Sequence, residues 1–456
     1  MNIDAMVFEI GSTTTLVNAF DDLKTDSPKF LGQGQGETSV LFGDVRTGLF
    51  EAISDLEKKL DKKIKANEIF ATSSAAGGLR MSVHGLVYDM TVRAAKAAAL
   101  GAGAIIKMAT AGKITNFDID DIKNIDPNLI LLCGGTDYGE RETAIYNANL
   151  IAESGLNIPV IYAGNIQNQR QIEKIFSDRE IQCTVTENIY PKLDFLNIEP
   201  CRKVIHGVFE EHIVKAPGMS NIKRIVNGAI MPTPGAVMEA TQILFEELKD
   251  IVVIDIGGAT TDVHSATEGS EEISLIQTSP EPFFKRTVEG DLGLFLNSQN
   301  IIDMIGDKLP NEINIDIAKT MKNYQPIPYT KEQLILTERL AVEAGTVALL
   351  RHAGKLRHIF SPSGRQTIAE GKDLTKIKYL IGTGGALTRL KDREIIARKI
   401  ADSNKGDSLM PKPGEIKLLY DNDYIFASLG VLGTKYREAA KNLLMQSIFK
   451  KDNNAK

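Results

Sequence analysis

Cysteine is scarce in this chain. Of 456 residues only Cys133, Cys183 and Cys201 are cysteine, far apart and with no C-x-x-C pair, which speaks against a disulfide framework, a structural zinc site and an iron–sulfur cluster held within the chain. Positive charge is not in excess either: 53 Lys and Arg face 59 Asp and Glu, for a net charge of −6. With no basic stripe there is no general attraction to nucleic acid, and none is expected as a partner. Long apolar runs are missing as well. The most apolar helical stretch, 94–106, is bracketed by Arg93, Lys96 and Lys107 and stays short of the ~20 residues needed to span a bilayer. It is expected to be a buried packing helix of small residues, with no membrane as partner. No cationic flank leads into an apolar run at the start, where Asp4 follows almost at once; a secretory signal is not expected and a cytoplasmic location is. No Walker A sequence, serine-nucleophile elbow or H-E-x-x-H pair occurs.

What the chain does contain is a repeat. Residues 7–17, VFEIGSTTTLV, return at 253–263 as VIDIGGATTDV, with the glycine, the threonines and an acid in register. Each copy reads as a buried apolar strand that ends at an acidic residue and turns back over a Gly-Ser/Thr-rich hairpin. The backbone N–H groups and hydroxyls of such turns can hold phosphate oxygens; they belong to Gly11, Ser12, Thr13 and Thr14 in one copy and to Gly257, Gly258, Ala259, Thr260 and Thr261 in the other. Glu9 and Asp255 fall where strand meets phosphate, and hard carboxylate oxygens there suit Mg²⁺, directly or through its water. The repeat predicts a nucleotide gripped, with its magnesium, between two halves of a duplicated fold.

The rest of the pattern is α/β, and a chain of this length exceeds the reach of one core, so two domains are expected, at 1–250 and 251–456. An inserted or irregular segment is expected at about 190–230, where Pro191, Pro200 and Pro217 break the periodicity. Phe50, Ile53, Leu56 and Leu60 recur at helical spacing and predict a surface helix over 46–63. The polar, glycine-rich stretch 21–38 reads as strand ends and turns. A short buried strand at 129–133 opens into Gly134-Gly135-Thr136-Asp137-Tyr138-Gly139, followed by a helix to about Glu153; 379–381 is a strand opening into Gly382-Thr383-Gly384-Gly385, and a further strand–helix step runs from Tyr424 through Gly430.

Hairpin, Gly-Gly-Thr-Asp loop with its helix, second hairpin, Gly-x-Gly-Gly turn and closing helix follow one another in an order that resembles the actin-like ATPase superfamily. Its corresponding elements are called phosphate 1, connect 1, phosphate 2, adenosine and connect 2. The resemblance implies two actin-like (ribonuclease H-like) α/β domains with an ATP cleft between them and the hairpins on the phosphates. Gly382, Gly384 and Gly385 would let the backbone lie against the nucleoside, and Asp137 would be catalytic beside Asp255, orienting the attacking water. A closer resemblance covers nearly the whole chain and is carried by SSAAGGLRM (73–81), AAALGAGA (97–104), LLCGGTDYG (131–139), RTVEGDLG (286–293), Arg351-His352-Ala353-Gly354 and IGTGGALT (381–388). These segments are similar to the GlmL/MutL family, accessory proteins of adenosylcobalamin-dependent mutases and distinct from the mismatch-repair protein of the same short name. That resemblance implies a reactivating chaperone, a slow ATPase that opens a glutamate mutase or an amino acid aminomutase so that damaged cobalamin leaves and intact coenzyme enters. Glu9 departs from the superfamily's usual Asp, which displaces the carboxylate by one methylene; slow hydrolysis is tolerable for a switch and damaging for a kinase.

Several residues carry a second reading. Asp137 equally suits a helix N-cap or Asx-turn, and Asp262 suits ordering its own turn. In Asp262-Val263-His264-Ser265-Ala266-Thr267, Thr267 stands where a cobalamin-ligating D-x-H-x-x-G sequence needs Gly, so His264 is not expected to bind cobalamin. Residues 286–293 are either a solvated loop or a segment that couples the nucleotide to a partner, and His352 either acts functionally or places a charge at a helix end. The rival function is a small-molecule kinase of the same fold, acting on a sugar or a carboxylate.

Overall fold

The computed structural model describes residues 1–450 apart from 12, 13, 40–42, 75–78, 214–217, 220, 362, 363 and 405, and leaves aside the side chains of 209, 210, 212, 213, 360 and 361. Ser12 and Thr13 of the first hairpin and most of the 73–78 loop lie outside the described residues.

A strand flanked by strands and covered on both faces needs apolar side chains on both. β1 (Asn2–Ile10) has them: Ala5, Val7, Phe8 and Ile10 have no exposed surface, and each such Val, Phe or Ile contributes roughly 1.5–3 kcal/mol. β1 lies third in a five-stranded sheet ordered β10-β4-β1-β2-β3, with β2 at Thr14–Asp21, β3 at Lys29–Glu37, β4 at Lys65–Ser73 and β10 at Ile230–Pro232. The β1–β2 and β2–β3 pairs are antiparallel; β4 runs parallel to β1, and β10 to β4. A second sheet repeats this plan as β13-β12-β11-β16-β17, from β11 (Ile251–Ile256), β12 (Thr261–Ala266), β13 (Phe284–Glu289), β16 (Tyr379–Thr383) and β17 (Lys417–Tyr420). The hairpins agree pair for pair: Ile10 faces Thr15 and Glu9 faces Leu16, as Ile256 faces Thr261 and Asp255 faces Asp262. Three antiparallel strands followed by two parallel ones, built twice, form the expected actin-like, ribonuclease H-like plan.

Between β4 and β10 the chain builds a third sheet, entirely parallel and ordered β6-β5-β7-β8-β9, from β5 (Arg80–Gly85), β6 (Ile105–Ala111), β7 (Leu129–Leu132), β8 (Val160–Tyr162) and β9 (Cys183–Val185). The irregular stretch expected at 190–230 is only the end of this excursion, and even there Glu199–Ile213 is helical. A small antiparallel hairpin, β14 (Lys355–Ser361) and β15 (Gly364–Glu370), stands apart.

Helix α1 (Arg46–Leu60) buries Gly48, Leu49, Ala52 and Leu56 and leaves Phe50 58% exposed, so the expected stripe is rotated. The cause lies in β3, which is one continuous strand where strand ends and turns were expected. A Cβ on Gly34 would fall 1.9 Å from the carbonyl oxygen of Ala52; glycine there lets α1 rest directly on the sheet. Helix α2 (Arg93–Gly101) crosses from β5 to β6 with Ala94, Ala95, Ala98, Ala99 and Gly101 buried, which is the expected small-residue packing helix, although Ile105 already opens β6. Two further helices, Thr233–Leu248 after β10 and Phe426–Gly433 after β17, cross between the duplicated sheets. A Cβ on Gly430 would lie 1.8 Å from the Ala236 carbonyl oxygen.

Candidate functional site

Both hairpins are closed by the same bond. The Gly11 N–H donates to the Thr14 carbonyl and the Gly257 N–H to the Thr260 carbonyl, each at 3.0 Å. In the second hairpin the carbonyl side is taken up: Leu294 N–H donates to Gly257 at 3.1 Å, Phe295 and Leu296 N–H to Gly258 at 2.9 Å, and Asn297 Nδ2 to Ala259 at 3.0 Å. Thr261 spends its hydroxyl on the Leu292 carbonyl at 2.7 Å. In the first hairpin the Gly11 carbonyl accepts from Thr38 Oγ1 at 2.9 Å.

The Gly-x-Gly-Gly turn meets the second hairpin. Gly384 has φ +78°, and a Cβ on it would lie 2.3 Å from Asp255 Oδ1, so only glycine brings the turn onto that carboxylate. Thr383 faces Asp255 across the β11–β16 pair, Gly382 faces Ile254, and a Cβ on Gly385 would meet nothing within 4 Å. A third acid, which the sequence reading missed, joins from the same layer: Asp421, directly after β17. It accepts from Thr383 Oγ1 and from the Ile425 and Phe426 N–H groups, all at 3.0 Å. An Asp a few residues ahead of a helical run whose one polar residue is Ser428 is a capping signal, and it was legible at 421–433.

Polar side chains close one half onto the other. Asn18 Nδ2 donates to Ser428 Oγ at 2.7 Å, and Ser428 Oγ donates to Glu9 Oε2 at 3.4 Å. Gln33 Nε2 donates to Asn18 Oδ1 at 2.9 Å and to the Tyr424 carbonyl at 3.0 Å, while Arg389 donates to Gln33 Oε1 at 2.7 Å with its guanidinium over the Tyr424 ring.

The electrostatics of this layer are those of crowded acids. Glu9 is 8% exposed, and burial, then Asp255, then Asp421, push its carboxyl up to about 8. Burial and then Asp262, opposed by Arg286, push Asp255 up to about 7. Burial also raises Asp421. Among the described residues no three His, Cys, Asp or Glu side chains are placed to hold a metal ion. Two acids that burial and repulsion hold toward protonation instead fit a divalent cation kept through its water, with other oxygens supplied by phosphate.

Asp137 does not belong to this layer. It sits on the loop after β7, in the third sheet, where its Oδ1 accepts from Ile166 N–H and Asn188 Nδ2, both at 2.9 Å, and its N–H donates to Pro191 at 2.8 Å. These bonds tie together the loops after β7, β8 and β9, and with partners 29 and 51 positions away they are neither an Asx-turn nor a helix N-cap; they place Asp137 in the third sheet, away from the hairpins where a water-orienting role was expected. The helix after it, Glu142–Glu153, also belongs to the third sheet; the helix that crosses the closing helix is Thr233–Leu248. His264 and His352 are both fully buried, and burial holds each well below the usual imidazole range. His352 lies between Ser265 Oγ at 2.8 Å and Thr287 Oγ1 at 2.9 Å, a neutral internal bridge in place of the expected helix-end charge. Arg286, expected in a solvated or coupling segment, is 3% exposed on β13.

Among the described residues no helix is long and apolar enough to cross a membrane. Among solved structures, this chain is similar to nucleotide-free acetone carboxylase at 13% identity and TM-score 0.41, covering 94% of this chain and 70% of that one. Glycerol dehydratase reactivase is similar at 9% and TM-score 0.36, covering 94% of this chain and 99% of that one. Diol dehydratase-reactivating factor in its nucleotide-free form is similar at 10% and TM-score 0.38, covering 95% and 99%. These likenesses are distant in sequence and shape, and the fold rests on strand order and sense. The relation in sequence is much nearer: the curated Protein MutL of Clostridium tetanomorphum is 35% identical over 462 residues, spanning 98% of this chain and 99% of that protein. With the family model described as MutL protein matching residues 5–448 as well, the chain belongs to the MutL family.

Proposed function

We propose that this protein is an ATP-dependent reactivating chaperone for an adenosylcobalamin-dependent mutase, a glutamate mutase or an amino acid aminomutase. ATP lies between the hairpins at 11–14 and 257–261, with Gly382, Gly384 and Gly385 beside the nucleoside. Glu9 and Asp255 hold the water shell of Mg²⁺, which when bound screens phosphate charge. Both halves touch the same phosphates, so losing the γ-phosphate removes contacts that favour closure, and the motion is passed to the mutase, from which damaged cobalamin then leaves. The observation that carries this reading is the pair of hairpins with identical closing bonds and register, whose acids are electrostatically coupled. Membership in the MutL family supports the mutase as partner. The test is a mutase blocked with cyanocobalamin: activity should return on adding this protein, ATP, Mg²⁺ and coenzyme. No recovery with any candidate mutase, while ATP is still hydrolysed, would remove the chaperone role and keep the nucleotide site. Stoichiometric phosphorylation of an added metabolite would replace it with a kinase.

A further inference from the structure

Arg286 connects the nucleotide layer to the third sheet. Its Nη2 donates to Asp262 Oδ2 at 3.0 Å and its Nη1 donates to the Leu100 carbonyl at 2.7 Å, with the residue 3% exposed. Leu100 is in the last turn of α2, so a cation sits at the negative end of that helix. Asp262 lies directly opposite Asp255 in the β11–β12 ladder. Asp255, Asp262, Arg286 and Leu100 therefore form one internal line of charge and dipole from the phosphate hairpin to the crossover helix of the inserted sheet.

The far end of α2 is tied to the same region. Arg93, its first residue, pairs with Glu281 and donates to Ser279 Oγ, both on the segment leading into β13. Polar atoms along this seam are incompletely paired: Asp262 Oδ1, Arg286 Nε and both ring nitrogens of His264, which faces Arg286 across β12–β13, have no hydrogen-bond partner among the described residues. Buried polar atoms without partners disfavour the closed arrangement, so a strong grip holds shut a contact that other groups gain by opening. A two-state contact has that form.

We propose that Arg286 is a latch through which the nucleotide site sets how firmly the inserted sheet is attached. When Mg²⁺ and nucleotide cover the charge of Asp255, Arg286 serves Asp262 and Leu100 and holds α2; when that charge is uncovered, the two carboxylates draw the guanidinium toward themselves and α2 loosens. The latch rests on the proposed nucleotide site.

Amide hydrogen exchange over 93–104 tests it on the full chain. In the wild type, ATP with Mg²⁺ slows exchange there at least about fivefold, the lower end of typical coupling between sites. Arg286→Met gives fast exchange in both states with no nucleotide response, while calorimetry still finds ATP uptake. Should that variant not fold, Asp262→Asn, which keeps the shape and removes the charge, must lose most of the response. Arg93→Met is the structural comparison: it speeds exchange in both states but keeps their ratio. Wild-type protein that takes up ATP without slowing exchange over 93–104 overturns the latch alone, as does an Arg286→Met or Asp262→Asn variant with the full response. Absence of ATP uptake by the wild type overturns the nucleotide site and the latch with it.

Discussion

Replacing Asp255 by Asn should act on folding and on phosphate chemistry with opposite signs. Burial and Asp262 push the carboxyl from an ordinary value of 3.8 up to about 7. The folded chain thus holds this proton to higher pH than the unfolded chain does. Stability from the protonated form is fully present below about pH 4 and is lost as pH rises through the folded value of about 7. Each tenfold change in proton affinity is worth about 1.4 kcal/mol, so the ionised group destabilises by at most about 4 kcal/mol at pH 8. By surface area Asp255 keeps some solvent contact although protein surrounds it, and hydration through that opening reduces the expected gain for Asn to about 1–3 kcal/mol. In nucleotide-free protein with EDTA, calorimetric melting of Asp255→Asn at pH 8 should lie roughly 1–3 °C above wild type, and the gap should narrow to about two-fifths of that at pH 5 and close below about pH 4. Phosphate release from ATP should fall at least about a hundredfold in the same variant. An Asn variant that melts lower at pH 8, or a gap as wide at pH 5 as at pH 8, would refute the electrostatic reasoning; unchanged turnover would refute the assignment of this acid to the phosphates.

Gly384→Ala puts a methyl 2.3 Å from Asp255 Oδ1 at φ +78°; it should lower stability by about 1–3 kcal/mol and weaken ATP binding at least about tenfold by calorimetry. Gly385→Ala points into open space and should change the melting temperature by less than about 2 °C. Gly430→Ala meets the Ala236 carbonyl oxygen at 1.8 Å and should cost about 3 kcal/mol or more, seen as lost soluble yield or early melting. Asp137→Ala should speed proteolysis of the loops at 135–140, 164–168 and 187–192 that Asp137 joins while ATP hydrolysis stays within about threefold, because those bonds hold the third sheet's loops and do not run to Glu9, Asp255 or Asp421. Burial raises Cys133 and pushes Cys201 up to about 12, so neither should react with a thiol reagent at pH 8 until denaturant is added.

The duplicated hairpins were legible because everything they need is local: a two-sided apolar strand, an acid at its end and a turn opened by glycine. Their identical register follows from that shared pattern. The third sheet was not legible, because short parallel strands such as Val160–Tyr162 and Cys183–Val185 look alike in any α/β layer, and only non-local pairing says which sheet owns them. Asp137 misled for that reason. A Gly-Gly-Thr-Asp loop at a strand end has the local chemistry of a phosphate loop whether or not the sheet beneath it faces a phosphate. Gly34 hid a strand by looking like a turn, since the close approach of Ala52 that requires it comes from a helix placed later in the chain. Arg286 looked solvated because the acid that makes its burial tolerable, Asp262, lies 24 positions away on another strand.

The inserted sheet is fastened in a way that would make it respond to the proposed closure of the two halves. It leaves the first duplicated sheet at Ser73, which faces Ile10, and returns at Ile230, which faces Ala71 two residues before that strand end. Both of its covalent connections therefore flank one strand end, beside the first hairpin, which suits a pivot. It also shares an apolar core with the first half, where Met81, Val83, Leu131 and Ile161 are buried in one cluster with Phe8 and Ala71; its attachment to the opposite half is α2, through Arg286 and Arg93. A body hinged on one half and gripped by the other must turn when the halves close, unless the grip releases. Breaking a buried ion pair by removing its partner costs about 3–5 kcal/mol, whereas driving a two-state equilibrium from 1:99 to 99:1 takes about 5.5 kcal/mol. The two magnitudes are close. A grip much weaker than this would let the inserted sheet drift whatever nucleotide was bound, and several more pairs of the same strength would hold it fixed through the whole cycle. Arg286, bonded to the acid opposite Asp255 and to the end of α2, and Arg93 at the other end of that helix lie in the range where the proposed nucleotide contacts from two hairpins would decide the outcome.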